Sequence, residues 1–247
     1  MDRIIKITLG LFIAIIVVTV ALAGYTMYTA TAYQSSLTSS YAYSCSITTD
    51  SALTNITLYL PIPAEKGGSS PIVSRFSAHT MPGIPGSWQT TLFDTGKATV
   101  AKIIIPALVP PAGTTADKPY TFTISADLRS DKVIDTLSPF ENSAVFRPAS
   151  DIQKVSCTAA VLEQGGSPAC STYLTALYAD YTTDPNARVT ITSSVTGRNT
   201  WRIFESRSNE YKSDISLLML GENHGWATAQ GSMQSGIGSY EAPFHIP

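Results

Sequence analysis

Between Ile7 and Thr49 the chain carries no Asp, Glu, Lys, Arg or His. Charge is scarce elsewhere too, at 14% of residues against the usual quarter of a soluble domain. The net charge is −2 and no basic stripe is present, which excludes a counterion-displacing footprint for nucleic acid. Histidine is rarer still: His79, His224 and His245 share no ligand spacing, and HExxH and HxH are both missing, so no metal motif is encoded. The three cysteines show no CxxC pair. There is no G-x-S-x-G elbow and no phosphate-cradling glycine loop, which removes the sequence signatures of a hydrolase nucleophile and of a nucleotide cofactor. Acid pairs such as Asp94 with Asp127, or Glu205 with Glu210, have no motif behind them. No catalytic, cofactor or metal residue is assigned, and the expectation is a non-enzymatic protein.

What is present begins at the N-terminus. Arg3 and Lys6 precede the apolar run "ITLGLFIAIIVVTVALAG", which continues to Tyr25, Met27 and Tyr28. From Ile7 to Tyr28 a helix would span about 33 Å at 1.5 Å per residue, enough for a hydrocarbon core of about 30 Å. An export signal has a shorter apolar stretch, about 7–15 residues. Tyr25, Tyr28 and Tyr33 would sit at the outer interface, and the basic residues ahead of the span set the N-terminus in the cytoplasm. The expectation is a transmembrane anchor over residues 1–28, in contact with the lipid bilayer through Ile7 to Tyr28. Two alternatives stand beside it. Ala21-Leu22-Ala23 has the small-x-small form of a signal cleavage site, which would release a secreted protein. The long uncharged helix would also suit a pilin-like or surface-layer subunit that self-associates into a filament or lattice.

Residues 29–40, "TATAYQSSLTSS", read as a Ser/Thr-rich linker. From residue 41 to 247 the chain reads as short alternating segments punctuated by Gly, Pro, Asn and Asp, which predicts an all-β, sandwich-like extracytoplasmic domain of nine or ten strands. Ser and Thr make up about a quarter of the chain, a β-rich, hydroxyl-surfaced composition. "SYAYSCSITTD", "TNITLYLPIP" and "YTFTISADL" alternate clearly. A hairpin is expected at Asp94-Thr95-Gly96, and turns at Thr196 to Asn199 and at "GENHG". "TLSPFENSAVFRPASDI" breaks the rhythm as a crossover. "CSTYLTALYADYT" has a competing helical spacing at Leu174, Leu177, Tyr178 and Tyr181 but is read as a strand, because Thr and Tyr dominate it.

A few residues stand out. Asn55 heads the one N-x-[ST] triplet with a permitted middle residue, a glycan acceptor on an exported chain. Cys157 and Cys170 flank a segment read as strand, turn, strand around Gly165-Gly166. In that hairpin they would be offset by about 13 Å, so a bridge between them needs an irregular loop. The favoured pairing is still this local one, with Cys45 buried and free. Arg198, Trp201 and Arg202 have the composition of a recognition surface or of a strand rim. Glu222, His224 and Trp226 would suit a ligand pocket, with the indole on a sugar ring, but turn chemistry accounts for them better, as a tight turn leading into a strand on which Trp226 faces the core.

"TNITLYLPIP" together with "TGRNTWRIFESRSNEYKSDISLLMLGENHGW" and "GSMQSGIGSYE" resembles uncharacterised exported proteins of methanogenic archaea, which carry one N-terminal hydrophobic helix and a β-domain. The resemblance implies an archaeal cell-surface setting and brings no site residues with it. The functional expectation is a membrane-anchored β-domain that is structural or recruits an envelope partner. A secreted carbohydrate- or peptide-active enzyme is the other alternative.

Overall fold

A computed structural model describes residues 2–95, 98–147 and 149–240. The chain runs α1 (Asp2–Ser36), β1 (Thr38–Thr49), β2 (Leu53–Pro61), α2 (Pro71–Ser77), β3 (Gln89–Asp94), β4 (Thr99–Leu108), β5 (Tyr120–Ser130), α3 (Pro139–Asn142), β6 (Ser150–Val155), α4 (Ala159–Leu162), β7 (Gly166–Thr182), β8 (Arg188–Arg202), β9 (Ser206–Leu220) and β10 (Asn223–Gly238). His245 lies outside the described residues.

The all-β reading holds. The strands form one antiparallel sheet in the order β3-β4-β2-β7-β10-β9-β8-β1-β5, with β6 pairing to β7 beyond the end of β2. The sheet curls into a half-barrel and so supplies both layers of the sandwich-like fold. β9 and β10 pair through residues 209–216 and 230–238. Towards their own connection they part: β9 stays with β8 as far as Leu220, and β10 stays with β7 from Asn223. The two far ends of the sheet meet again where Trp88, just before β3, packs on Phe122 of β5 with ring centroids 4.6 Å apart.

The short helix α2 lies in the open side, a feature the alternation did not signal. Ser70 caps it by accepting from the Val73 amide, and Pro71 presets its first turn, a combination suited to a helix start. Its Ile72 and Phe76 are buried, Phe76 edge-on to Tyr43 of β1 at 6.0 Å. One continuous core results, built from Tyr41, Tyr43, Cys45 and Ile47 of β1 and the inward residues of every long strand. Outward-facing hydroxyls pair across the strands, as Ser44 with Ser194 at 2.8 Å and Ser46 with Thr192 at 2.6 Å. This is where the high Ser and Thr content is used.

Three local expectations are corrected. Residues 29–36 are not a linker: α1 continues through them, and Leu37 alone separates it from β1. Their hydroxyls bond back to carbonyls about one turn earlier, Thr29 to Thr26 and Thr31 to Met27, which lets a Ser/Thr-rich segment stay helical. Residues Thr196 to Asn199 are not a turn but the interior of β8. Gly197 is there because the Tyr211 ring of β9 lies flat on it; a Cβ would come within 2.2 Å of that ring. Finally, the segment after Cys157 forms α4 in place of a strand, and this supplies the irregular path that closes the Cys157–Cys170 disulfide at a Cα separation of 5.3 Å.

Candidate functional site

The singled-out residues fall into two groups at opposite ends of the sheet. The first group surrounds the entry of α1. Trp201, near the end of β8, is buried and sits edge-on to Tyr33 of α1 at 5.7 Å. The Ser36 hydroxyl donates to the Arg202 carbonyl and accepts from its amide, both at 2.9 Å. Phe204, in the β8–β9 turn, packs on Tyr25 and Tyr28 at 6.2 and 5.9 Å. Trp201 is therefore a docking residue for the helix and not open surface.

Arg198 points its guanidinium at Glu210, with Nε 2.6 Å from Oε2, and Lys212 reaches the other oxygen at 3.0 Å. Burial alone would raise the Glu210 pKa. The hydrogen bonds and charges of Lys212 and Arg198 outweigh it and hold the carboxyl below its ordinary value. Deeper in, Asn199 is fully buried and satisfied by Ser39, Ile134 and Asn209. This end of the molecule is an anchored junction in which Arg198 is paired within the fold and Arg202 meets α1 through its backbone.

The second group lies about 40 Å away, twelve residues along β10 at about 3.3 Å each. Here four neighbouring strands align Lys102, Tyr59, Tyr178 and Trp226 in direct register. Tyr59 and Tyr178 meet edge-to-face at 5.0 Å, Trp226 packs on Tyr178 at 5.5 Å, and Phe93 of β3 extends the row at 6.2 Å from Tyr59. The Lys102 ammonium stands 5.7 Å from the Tyr59 ring centre, a cation–π distance. Trp226 remains 64% exposed. It therefore faces outward, whereas a core position had been the competing expectation for it.

Beside the row, His224 is opposite Asp180 in the β10–β7 register, and its Nδ1 is 2.7 Å from the Asp180 carboxylate. Glu222 approaches its other nitrogen at 3.7 Å. The hydrogen bond to Asp180 raises the imidazole pKa, partial desolvation opposes it, and the charges of Asp180 and Glu222 reinforce the rise. His224 and Glu222 are largely open to solvent and Asp180 is half-buried. The arrangement is a charged rim on an open sheet face beside an aromatic strip. It offers flat apolar area, ring edges and carboxylate acceptors to a partner.

Glu222, His224 and Trp226 lie together around the start of β10, separated from Arg198, Trp201 and Arg202. Tyr59, Tyr178, Phe93, Lys102 and Asp180 were missed. The available signal was the alternation of β2, which puts Tyr59 on the same outward face as Asn55 and Thr57. Asn55 is exposed, with φ of 53° at the irregularity where β2 leaves β7, a backbone state that Asn tolerates. The free Cys45 is buried among Tyr43 and Ser193, and burial pushes its thiol up to about 12 against the hydrogen bonds that lower it. Among the described residues no three His, Cys, Asp or Glu side chains converge as metal ligands. Compared with known protein families, curated proteins and solved structures, the chain matches none.

Proposed function

We propose that the protein is a non-enzymatic, membrane-anchored surface protein whose β-domain stands outside the cytoplasm and recruits a partner in the envelope. One observation carries this reading. α1 is apolar enough to cross a bilayer, and none of its most apolar stretch is covered by the domain. Exposed side chains include Phe12, Ile13, Ile16 and Leu22, and so continuous an apolar surface requires lipid or protein around it. Arg3 and Lys6 precede the span and the first charge after it is Asp50, which orients the N-terminus to the cytoplasm. The outward aromatic strip at the far end is the recruiting face. The archaeal envelope setting implied by the resemblance belongs to the same proposal, as does glycosylation at Asn55.

The test is the state of the protein in its membrane fraction. Intact mass retaining residues 1–23, with release by detergent and not by carbonate, is the expected result. A soluble mature chain beginning at Gly24 would defeat it. A filament or lattice subunit is the second reading, favoured by the length of α1: thirty-five residues, about 52 Å of helix, exceed one crossing. Electron microscopy of purified protein separates the two, since helical or lattice order supports the subunit and detergent-dispersed monomers support the anchor.

A further inference from the structure

The β8–β9 turn lies beside α1 at one definite level. If the hydrocarbon core begins at Ile7, about 20 residues of helix carry it to Thr26, between the two tyrosines that hold Phe204. Phe204 nevertheless stays 61% exposed. Tyr25 and Tyr28, themselves more than half exposed, leave the rest of its ring uncovered beside the helix. Around it, Arg202 and Glu205 are exposed. An aromatic tip beside an exposed arginine is the chemistry of the headgroup layer: the ring sits at the hydrocarbon edge and the guanidinium reaches phosphate oxygens.

We propose that this turn is a second membrane contact, with Phe204 seated at the hydrocarbon boundary and Arg202 among the lipid phosphates. The inference rests on the anchor reading and deepens it. One helix alone lets a domain swing about its exit point; a second contact beside it sets how the sheet faces the membrane.

The experiment uses full-length protein in vesicles of phosphatidylcholine with a minor share of phosphatidylglycerol. Single nitroxide labels are placed through Val17→Cys, Ser206→Cys or Leu218→Cys, and collisions with oxygen and with a water-soluble nickel chelate are measured. Cys45 is buried and Cys157 and Cys170 are bridged, so each introduced thiol is labelled alone. Val17 should show the acyl-chain pattern, rich in oxygen and poor in chelate. Leu218, at the other end of β9, should show the aqueous pattern. The expected result at Ser206 is a loss of chelate collisions relative to Leu218, reversed when Phe204→Glu is added. Ser206 matching Leu218 while Val17 stays in the acyl region overturns the second contact and leaves the anchor standing. Chelate reaching Val17 overturns the anchor reading and the second contact with it. Protection of Ser206 that persists in the Phe204→Glu variant also overturns the assignment, because Phe204 would not be the seat.

Discussion

Gly197 offers the sharpest test of the packing, because its reason is steric and local. A Cβ at this position would lie 2.2 Å from Cε1 and 2.9 Å from Cζ of Tyr211, and 3.0 Å from a methyl of Ile134. Neither neighbour can yield freely. Tyr211 is fully buried and its hydroxyl donates to the Ala144 carbonyl; Ile134 is buried beside it. In Gly197→Ala the ring must therefore slide off the strand. Overpacking of this kind costs about 1–3 kcal/mol, and a stranded buried hydroxyl adds about 1–3 kcal/mol. The lower unfolded-state entropy of Ala returns about 0.5–1 kcal/mol. A net loss of about 3 kcal/mol follows, equivalent to a fall of about 6–12 °C in the unfolding midpoint of a domain this size.

Near-ultraviolet circular dichroism of the full chain in detergent measures that midpoint through the buried tyrosines. Gly67→Ala serves as control, since nothing lies within 4 Å of its would-be Cβ, and its midpoint should be unchanged or slightly raised. Gly231→Ala should behave like Gly197→Ala, because Tyr173 covers Gly231 with the same 2.2 Å approach. A Gly197→Ala protein that melts with the wild type would refute the reasoning: the ring would not be resting on the strand, and Gly197 would be free to serve as the turn its sequence suggests.

The Cys157–Cys170 bridge closes a short loop, thirteen residues apart in sequence, and its removal in a Cys157→Ser/Cys170→Ser double variant should cost about 3 kcal/mol; reductant should lower the wild-type midpoint similarly and leave the double variant unmoved. Because the Glu210 carboxyl is held below its ordinary value when folded, its contribution is fully present above about pH 4.3 and is lost as pH falls through the lower folded value. Glu210→Gln should therefore be less stable than wild type at pH 7, with the gap closing on acidification; a gap independent of pH would contradict the pairing with Arg198 and Lys212. Trp226→Ala removes an outward side chain packed on Tyr178, so stability should fall by no more than about 1.5 kcal/mol while photo-crosslinking to the proposed envelope partner is lost; retained crosslinking would remove the aromatic strip from the recruiting role.

Alternation in the sequence carried most of the sheet, because the inward face of each strand is chemically distinct from the outward face. In β1 the residues Tyr41, Tyr43, Cys45 and Ile47 are all buried and the serines between them are paired outside. The same periodicity settles β7 over its competing helical spacing: Tyr173, Leu177, Ala179 and Tyr181 face the core and Tyr178 faces out. Failures came where a residue's reason lies on another strand. Gly197 reads as a turn signal because glycine usually marks one, and only the neighbour Tyr211 reveals the close approach. Residues 29–36 read as a linker because Ser and Thr disfavour helix interiors, and only their back-bonding shows the helix continuing. The candidate site was half legible for the same reason. Glu222, His224 and Trp226 are close in sequence, while Tyr59, Lys102 and Asp180 join them through register alone.

The missing linker has mechanical consequences for the proposed arrangement. A twelve-residue flexible connector would have let the domain drift over a wide volume above the bilayer. Instead α1 enters β1 through Leu37 alone, whose amide still bonds to the Tyr33 carbonyl. β1 is then held on both sides, by β5 and by β8, over nearly its whole length. The tilt of the helix is passed directly to β1, between β8 and the edge strand β5, and Trp201, Ser36 and Phe204 lock the joint from the β8 side. The aromatic strip is therefore carried at a set height, about 40 Å beyond the junction along strands of about 3.3 Å per residue. In the proposed arrangement that height carries the strip clear of the lipid surface. Lengthening the joint after Leu37 with a few glycines should accordingly weaken partner capture without changing the strip itself.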